Sequence, residues 1–248
     1  MKPIRPKKLF AIALAVLITA ACTTAQVVRF WRSTLQEAVR SQRVSKLKTL
    51  YVALAYYADK HGGLPPARAQ DCIGAPDVSW RVALLPFLGY GGLYSQIDLG
   101  QPWNAPSNFR LIEPMPKYYQ SPGAATAYGG AANYFAVTGP HAPWWSANGS
   151  SPLNTPGLDA VLLVEVPVSK TPWMQPSDPS IDELITMLQD TGGTALDSGP
   201  QTEIMYVSIR GDVETVAASA DPKFLRELFS RGKKPEKPGH LNKDRHNP

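Results

Sequence analysis

The chain has 248 residues, 44% of them hydrophobic and only 18% charged, with 24 prolines and 19 glycines, a balance that excludes a disordered chain and suits one domain with appendages. Its net charge of +5 sits at the ends: Lys2, Arg5, Lys7 and Lys8 open the chain, and from Arg231 onward six basic residues outnumber two acidic ones. The body between is mildly acidic, which excludes a basic nucleic-acid-binding face and removes nucleic acid from the expected partners.

In chain order, residues 1–8 are a basic N-terminus. Leu9–Val28 follows with twenty residues and no charge, about 30 Å as a helix and enough to cross the hydrocarbon core of a bilayer. Lys7 and Lys8 hold the N-terminus in the cytoplasm and send the rest outward. A cleavable signal is the competing reading, with the apolar run Leu9–Ile18 followed by the small residues Thr19, Ala20 and Ala21. Lipid attachment at Cys22 is a third. The retained helix is favoured by what comes next, since no Gly or Pro occurs between Lys7 and His61. Trp31, Leu35, Ala38 and Val39, then Leu47, Leu50, Leu54 and Tyr57, recur at helical spacing, with Arg32, Gln36, Arg40, Arg43 and Lys46 on the other side. Gly62–Gly63 and Pro65–Pro66 end this helix. The expected organisation is therefore 1–8 cytoplasmic, 9–28 spanning the inner membrane once, and 29–231 an extracytoplasmic (periplasmic) head that includes the rest of the helix. Residues 232–248 are expected to be a disordered basic tail.

Within the head, Ser79 caps an expected helix over Trp80–Gly89, which Pro86 kinks or ends. Ala132–Val137, Ala160–Val168 and Glu203–Ile209 read as strands from their β-branched and aromatic content. Gly211–Asp212 turns the last of these into Val213–Ala217. Asp178–Pro179 starts a helix through Leu188, and Asp221–Pro222 starts another to about Ser230. Residues 141–157 and 190–202, rich in Gly, Pro, Ser and Thr, read as surface loops. The fold class that results is α+β, a long N-terminal helix packed on an antiparallel sheet.

Several stretches carry a resemblance. SKLKTLYVALAYYADKHGGLPPA (45–67), SWRVALLPFLGYGGLYSQIDLGQPWNAPSN (79–108), ANYFAVTGP (132–140), VLLVEV (161–166) and TPWMQPSD (171–178) occur in that order. Together with the hydrophobic N-terminal helix they resemble the planctomycete-type prepilin-like family of unknown function, with its SWRVxLLPxL…PWxxPxN and NYxxVTGP motifs. The resemblance spans about residues 40 to 215. It implies a pilin-like fold like that of type II secretion pseudopilins, with a membrane and other pilin-like or envelope proteins as partners. The usual prepilin processing line, Gly-Phe-Thr-Leu-Ile-Glu, is absent, and Arg43 and Gln120 stand where relatives carry a pair of cysteines. Cys22 and Cys72 are therefore expected to be unpaired.

No catalytic constellation emerges. The four histidines, His61, His141, His240 and His246, have no metal-ligand spacing and read as surface residues. Gly89-Tyr90-Gly91-Gly92 lacks the lysine of a phosphate loop, and Arg210-Gly211-Asp212 is a hairpin turn before it is an adhesion motif. Asp98, Asn104 and Asn108, with Asp178 more distant, offer oxygen ligands of the kind calcium takes. Trp103, Trp144, Trp145 and Trp173 fall near prolines in loop-like segments, where they would either stack on a sugar or peptide or fill the core beneath a loop. The sequence thus favours a non-catalytic, membrane-anchored protein with a structural or protein-interaction role and no cofactor. The alternative is a secreted or lipid-anchored ligand-binding protein that uses the tryptophan-lined loops.

Overall fold

The computed structural model describes residues 6–67, 77–122, 124, 129–139, 142–144, 153, 160–190, 195–196, 199–200 and 203–231, with side chains from residue 20 onward except 190, 195–196, 199–200 and 231. The chain divides into two compact units, 1–42 and 43–248. Helix α1, Pro6–His61, runs through the division as one element of 56 residues. It ends where expected: Gly62 takes φ +80°, a left-handed conformation that L side chains resist, and donates its N–H to the Ala58 carbonyl at 2.8 Å.

In the first unit, the described side chains of α1 are exposed apart from the half-buried Val39. Val27, Val28, Phe30, Trp31 and Leu35 are among the exposed apolar residues. Among the described residues no helix is long and apolar enough to cross a membrane. The side chains of 6–19, which hold most of the run proposed to span, lie outside them.

The second unit is built on a four-stranded antiparallel sheet in the order β1 (Tyr134–Ala136), β2 (Val161–Glu165), β5 (Glu203–Ser208), β6 (Val213–Ala217). Alternation assigns its two faces. Tyr134, Ala136, Leu163, Met205 and Val207 join Leu47, Leu50 and Leu54 of α1 in one core. Phe135, Val164, Ile204 and Tyr206 face a second core with α5 (Ile181–Asp190) and α6 (Pro222–Arg231). The sheet therefore carries a helix layer on each face. Leu47, Leu50 and Leu54 are fully buried, each contributing roughly 1.5–3 kcal/mol of apolar transfer. A register shift between Val161 and Leu163 puts both Leu162 and Leu163 on the α1 side.

One local expectation is sharpened and two are corrected. The helix from Trp80 is one turn, α2 (Trp80–Ala83), because Pro86 imposes a 3-10 turn over Leu85–Leu88 that Gly89 closes at φ +81°. Short turns α3 (Gly91–Tyr94) and α4 (Pro106–Phe109) follow. Asp178 does not cap α5; Ser180 does, in a reciprocal box with Glu183. The stretch 190–202, read as loop, carries the two-residue strands β3 (Ala195–Leu196) and β4 (Gly199–Pro200). Asp221 caps α6 through the Lys223 and Phe224 N–H groups, as expected. The tail 232–248 lies outside the described residues.

Candidate functional site

Two buried ionic networks organise the head. In the first, Arg81 and Asp178 are both fully buried and paired at 3.0 Å. Asp178 Oδ1 also accepts the Ala136 N–H at 2.7 Å, and its Oδ2 accepts the Trp80 indole N–H at 3.0 Å. The Arg81 guanidinium donates to the Tyr134 carbonyl and to Ser79 Oγ, and lies 4.6 Å from the Trp80 ring centroid. Every group of the cluster thus has a charge-assisted partner, which is what makes burying the pair tolerable. The network ties α2, β1 and the loop before α5 together.

The second network fixes α1 to the sheet. Arg43 Nη2 lies 2.7 Å from Glu165 Oε2 at the end of β2 and also donates to the Glu203 carbonyl at the start of β5. Ser121 Oγ donates to the other Glu165 oxygen. One helical turn along, Lys46 Nζ donates to the carbonyls of Lys117 and Gln120 at 2.8 and 2.7 Å. Burial pulls the Lys46 ammonium below its ordinary value, Lys117 adds to this, and Glu165 opposes it. Burial likewise holds the Tyr134 phenol well above its usual value, helped by the Glu165 charge and opposed by Ser121 and Arg43. Tyr134 Oη is buried close to Ser121 and makes no hydrogen bond of ordinary geometry.

A cleft of about 290 Å³ opens at the end of α1. Its walls include Tyr57 and His61 of α1, Pro66 of the following loop, and Trp80, Phe87 and Tyr94. The Tyr57 and His61 rings are stacked at 4.2 Å, and Phe87 meets both edge-on. A second, more open groove of about 560 Å³ is lined by Trp103, Phe109, Arg110, Glu113 and Pro172.

The family model described as "Protein of unknown function (DUF1559)" matches residues 36–203, well over half of the chain. The chain belongs to the SBP_bac_10 family. In this member the matched span opens inside α1, covers both networks and both clefts, and stops at the first residue of β5. No curated protein matches the chain, and no solved structure does.

The candidate residues scatter over the head of this DUF1559 protein. Trp173 is fully buried and Trp144 nearly so; their indole N–H groups are taken by the carbonyls of Ile112 and Leu162. Both are core residues and unavailable to a ligand. Trp103 is half-buried and lines the open groove, while Trp145, His141 and Cys72 lie outside the described residues. Cys22 is exposed and unpaired. Of the calcium candidates, Asp98 and Asn104 are exposed. Asn108 is buried, and its amide is spent on the backbone: it accepts the Asp98 N–H and donates to the carbonyls of Asp98, Gln101 and Pro102. Asp178 belongs to Arg81. Among the described residues no three of His, Cys, Asp and Glu come together as metal ligands. The cleft at the end of α1 was not anticipated. Its signal was the pairing of an aromatic helix end with two prolines just before the SWRV stretch.

Proposed function

We propose that the chain is a non-catalytic, single-pass membrane protein of the cell envelope, with its N-terminus in the cytoplasm and its head outside, acting as a pseudopilin-like structural or interaction module. The carrying observation is α1 itself. A separate signal followed by an independent first helix would call for a break, and the helix from Pro6 to His61 has none. Phe30 and Trp31, exposed beside Arg29 and Arg32 at the end of the apolar run, suit the interfacial belt that aromatic residues form with flanking basic ones. The buried charges support a non-catalytic head, because they are engaged with one another and with backbone groups.

The test is the state of the chain in isolated membranes. Full-length protein with its N-terminal peptide intact should resist carbonate and high-salt washing. A soluble form lacking the first 21 to 25 residues would overturn the anchor. The second reading, a released ligand-binding head, is favoured by the groove at Trp103, where the exposed Phe109 ring adds a stacking surface. A glycan-array screen that loses its hits on Trp103→Ala would support it.

A further inference from the structure

We propose that the cleft at the end of α1 binds a small planar aromatic monocarboxylate. This rests on neither the membrane anchor nor the Trp103 groove.

The walls select for flatness. Tyr57 and His61 present nearly parallel rings 25° apart, Phe87 stands edge-on 5.8 Å from Tyr57, and proline faces close the sides. Tyr57 and His61 already stack on each other at 4.2 Å, so a ligand ring has no slot between them and lies instead against the side of this aromatic cluster that lines the cleft, through offset stacking and edge-to-face contact. The volume, about 290 Å³, is at the small end of the ~300–1,000 Å³ range of ligand pockets and fits a one- or two-ring compound.

Charge selects the other end. No carboxylate lines the cleft among the described residues, whereas Lys60 and His61 do. Lys60 Nζ lies 5.8 Å from the Phe87 centroid and has no carboxylate partner among the described residues. It is a cation held at an aromatic wall, in the last turn of α1. The carbonyl end of α1 contributes negative potential at the same place, which offsets part of that charge. A single carboxylate is therefore better matched than a phosphate dianion.

The experiment uses the full chain in detergent micelles, titrated with 2-naphthoate, 2-naphthamide and inorganic phosphate and read by calorimetry and ligand-observed NMR. Wild type is expected to bind naphthoate saturably and the neutral amide more weakly, by about fivefold, the size of one partly exposed charge contact. Phosphate is expected not to compete. Lys60→Gln should bring the two aromatic ligands to equal affinity without changing the melting temperature. Phe87→Leu should weaken both. Non-saturable uptake, which is partition into the micelle, overturns the proposal. So does phosphate competition, or naphthoate binding that survives both substitutions. Loss of these signals leaves the membrane-wash result untouched, so the two proposals fail separately.

Discussion

Asp178→Asn isolates the value of the buried ion pair. The substitution keeps the shape and removes the charge that offsets Arg81, which has no solvent exposure. One asparagine oxygen can still accept the Ala136 N–H, but the new NH2 then points at the Trp80 indole N–H and at Arg81, donor against donor. Breaking a buried pair from one side costs about 3–5 kcal/mol. For a chain of this size, 1 kcal/mol moves the melting temperature by roughly 2–4 °C, so a fall of roughly 6–20 °C is expected. Near-UV circular dichroism of the full-length protein in detergent reads it directly. Arg81→Met should cost a similar amount, and the double variant should be less destabilised than the two singles added, by about 1–3 kcal/mol. Asp178→Asn within about 0.5 kcal/mol of wild type, or strict additivity, would refute the network as a source of stability.

Other expectations follow from the same packing. Tyr134→Phe removes a phenol oxygen that makes no hydrogen bond of ordinary geometry, so stability should hold or rise by about 1 kcal/mol in urea titrations. Tyr119 and Tyr134 both have folded values raised above the ordinary 10.0. Above that value the unfolded chain gives up protons that the folded chain keeps, so stability should fall as pH rises, by about 1.4 kcal/mol per pH unit for each tyrosine. Tyr134→Phe should remove about half of that slope; an unchanged slope would exclude it as a contributor. Asn108→Ala should cost at least about 2 kcal/mol, because four backbone groups lose their partner, while Asp98→Ala should stay within about 1 kcal/mol with or without calcium. A calcium-dependent rise in wild-type melting temperature that Asp98→Ala abolishes would reinstate a metal site. Leu54→Asp places an unpaired carboxylate in the core beneath the sheet and should cost about 3 kcal/mol or more; native-like melting would mean that α1 is not core.

The long helix and the strand positions were legible because each has a periodicity that burial enforces. Leu47, Leu50 and Leu54 mark one stripe, and Val213–Ala217 was read to the residue. The helix layer on the second face was visible only as isolated helices, since sequence does not say which face of a sheet α5 and α6 cover. Residues with two open readings were decided by partners that the sequence does not show. Asp178, Asn108, Trp144 and Trp173 carry the chemistry of sites, but the fold uses that chemistry internally. Asp178 neutralises an arginine 97 residues away, and Asn108 closes a ten-residue loop. The one-dimensional pattern shows a polar or aromatic residue in a loop and cannot show that its partner is already present. Arg43 and Gln120 illustrate the opposite case. The resemblance marks them as a missing cysteine pair, and the structure holds the same neighbourhood with Arg43–Glu165 and the Lys46 contact to the Gln120 carbonyl.

The contacts that seat α1 on the sheet have a consequence for the order of events in synthesis. Arg43 meets the Glu203 carbonyl 160 residues later, and Tyr51 meets the Ile209 carbonyl 158 residues later. Gly211, at φ +86°, leaves a gap for the Tyr51 ring that any Cβ would invade. At about 5–20 residues per second, roughly 8–30 s separate the emergence of the helix from that of its last partners. During this interval the Leu47–Leu50–Leu54 stripe has no finished sheet to cover it, so the nascent head presents a sticky surface to any holding chaperone. Of the two central strands, β2 lies inside the family match and β5 begins at its last residue. A premature stop between Val166 and Glu203 would leave most of the mass in place and remove β5 and β6, half of the sheet on which the helix docks.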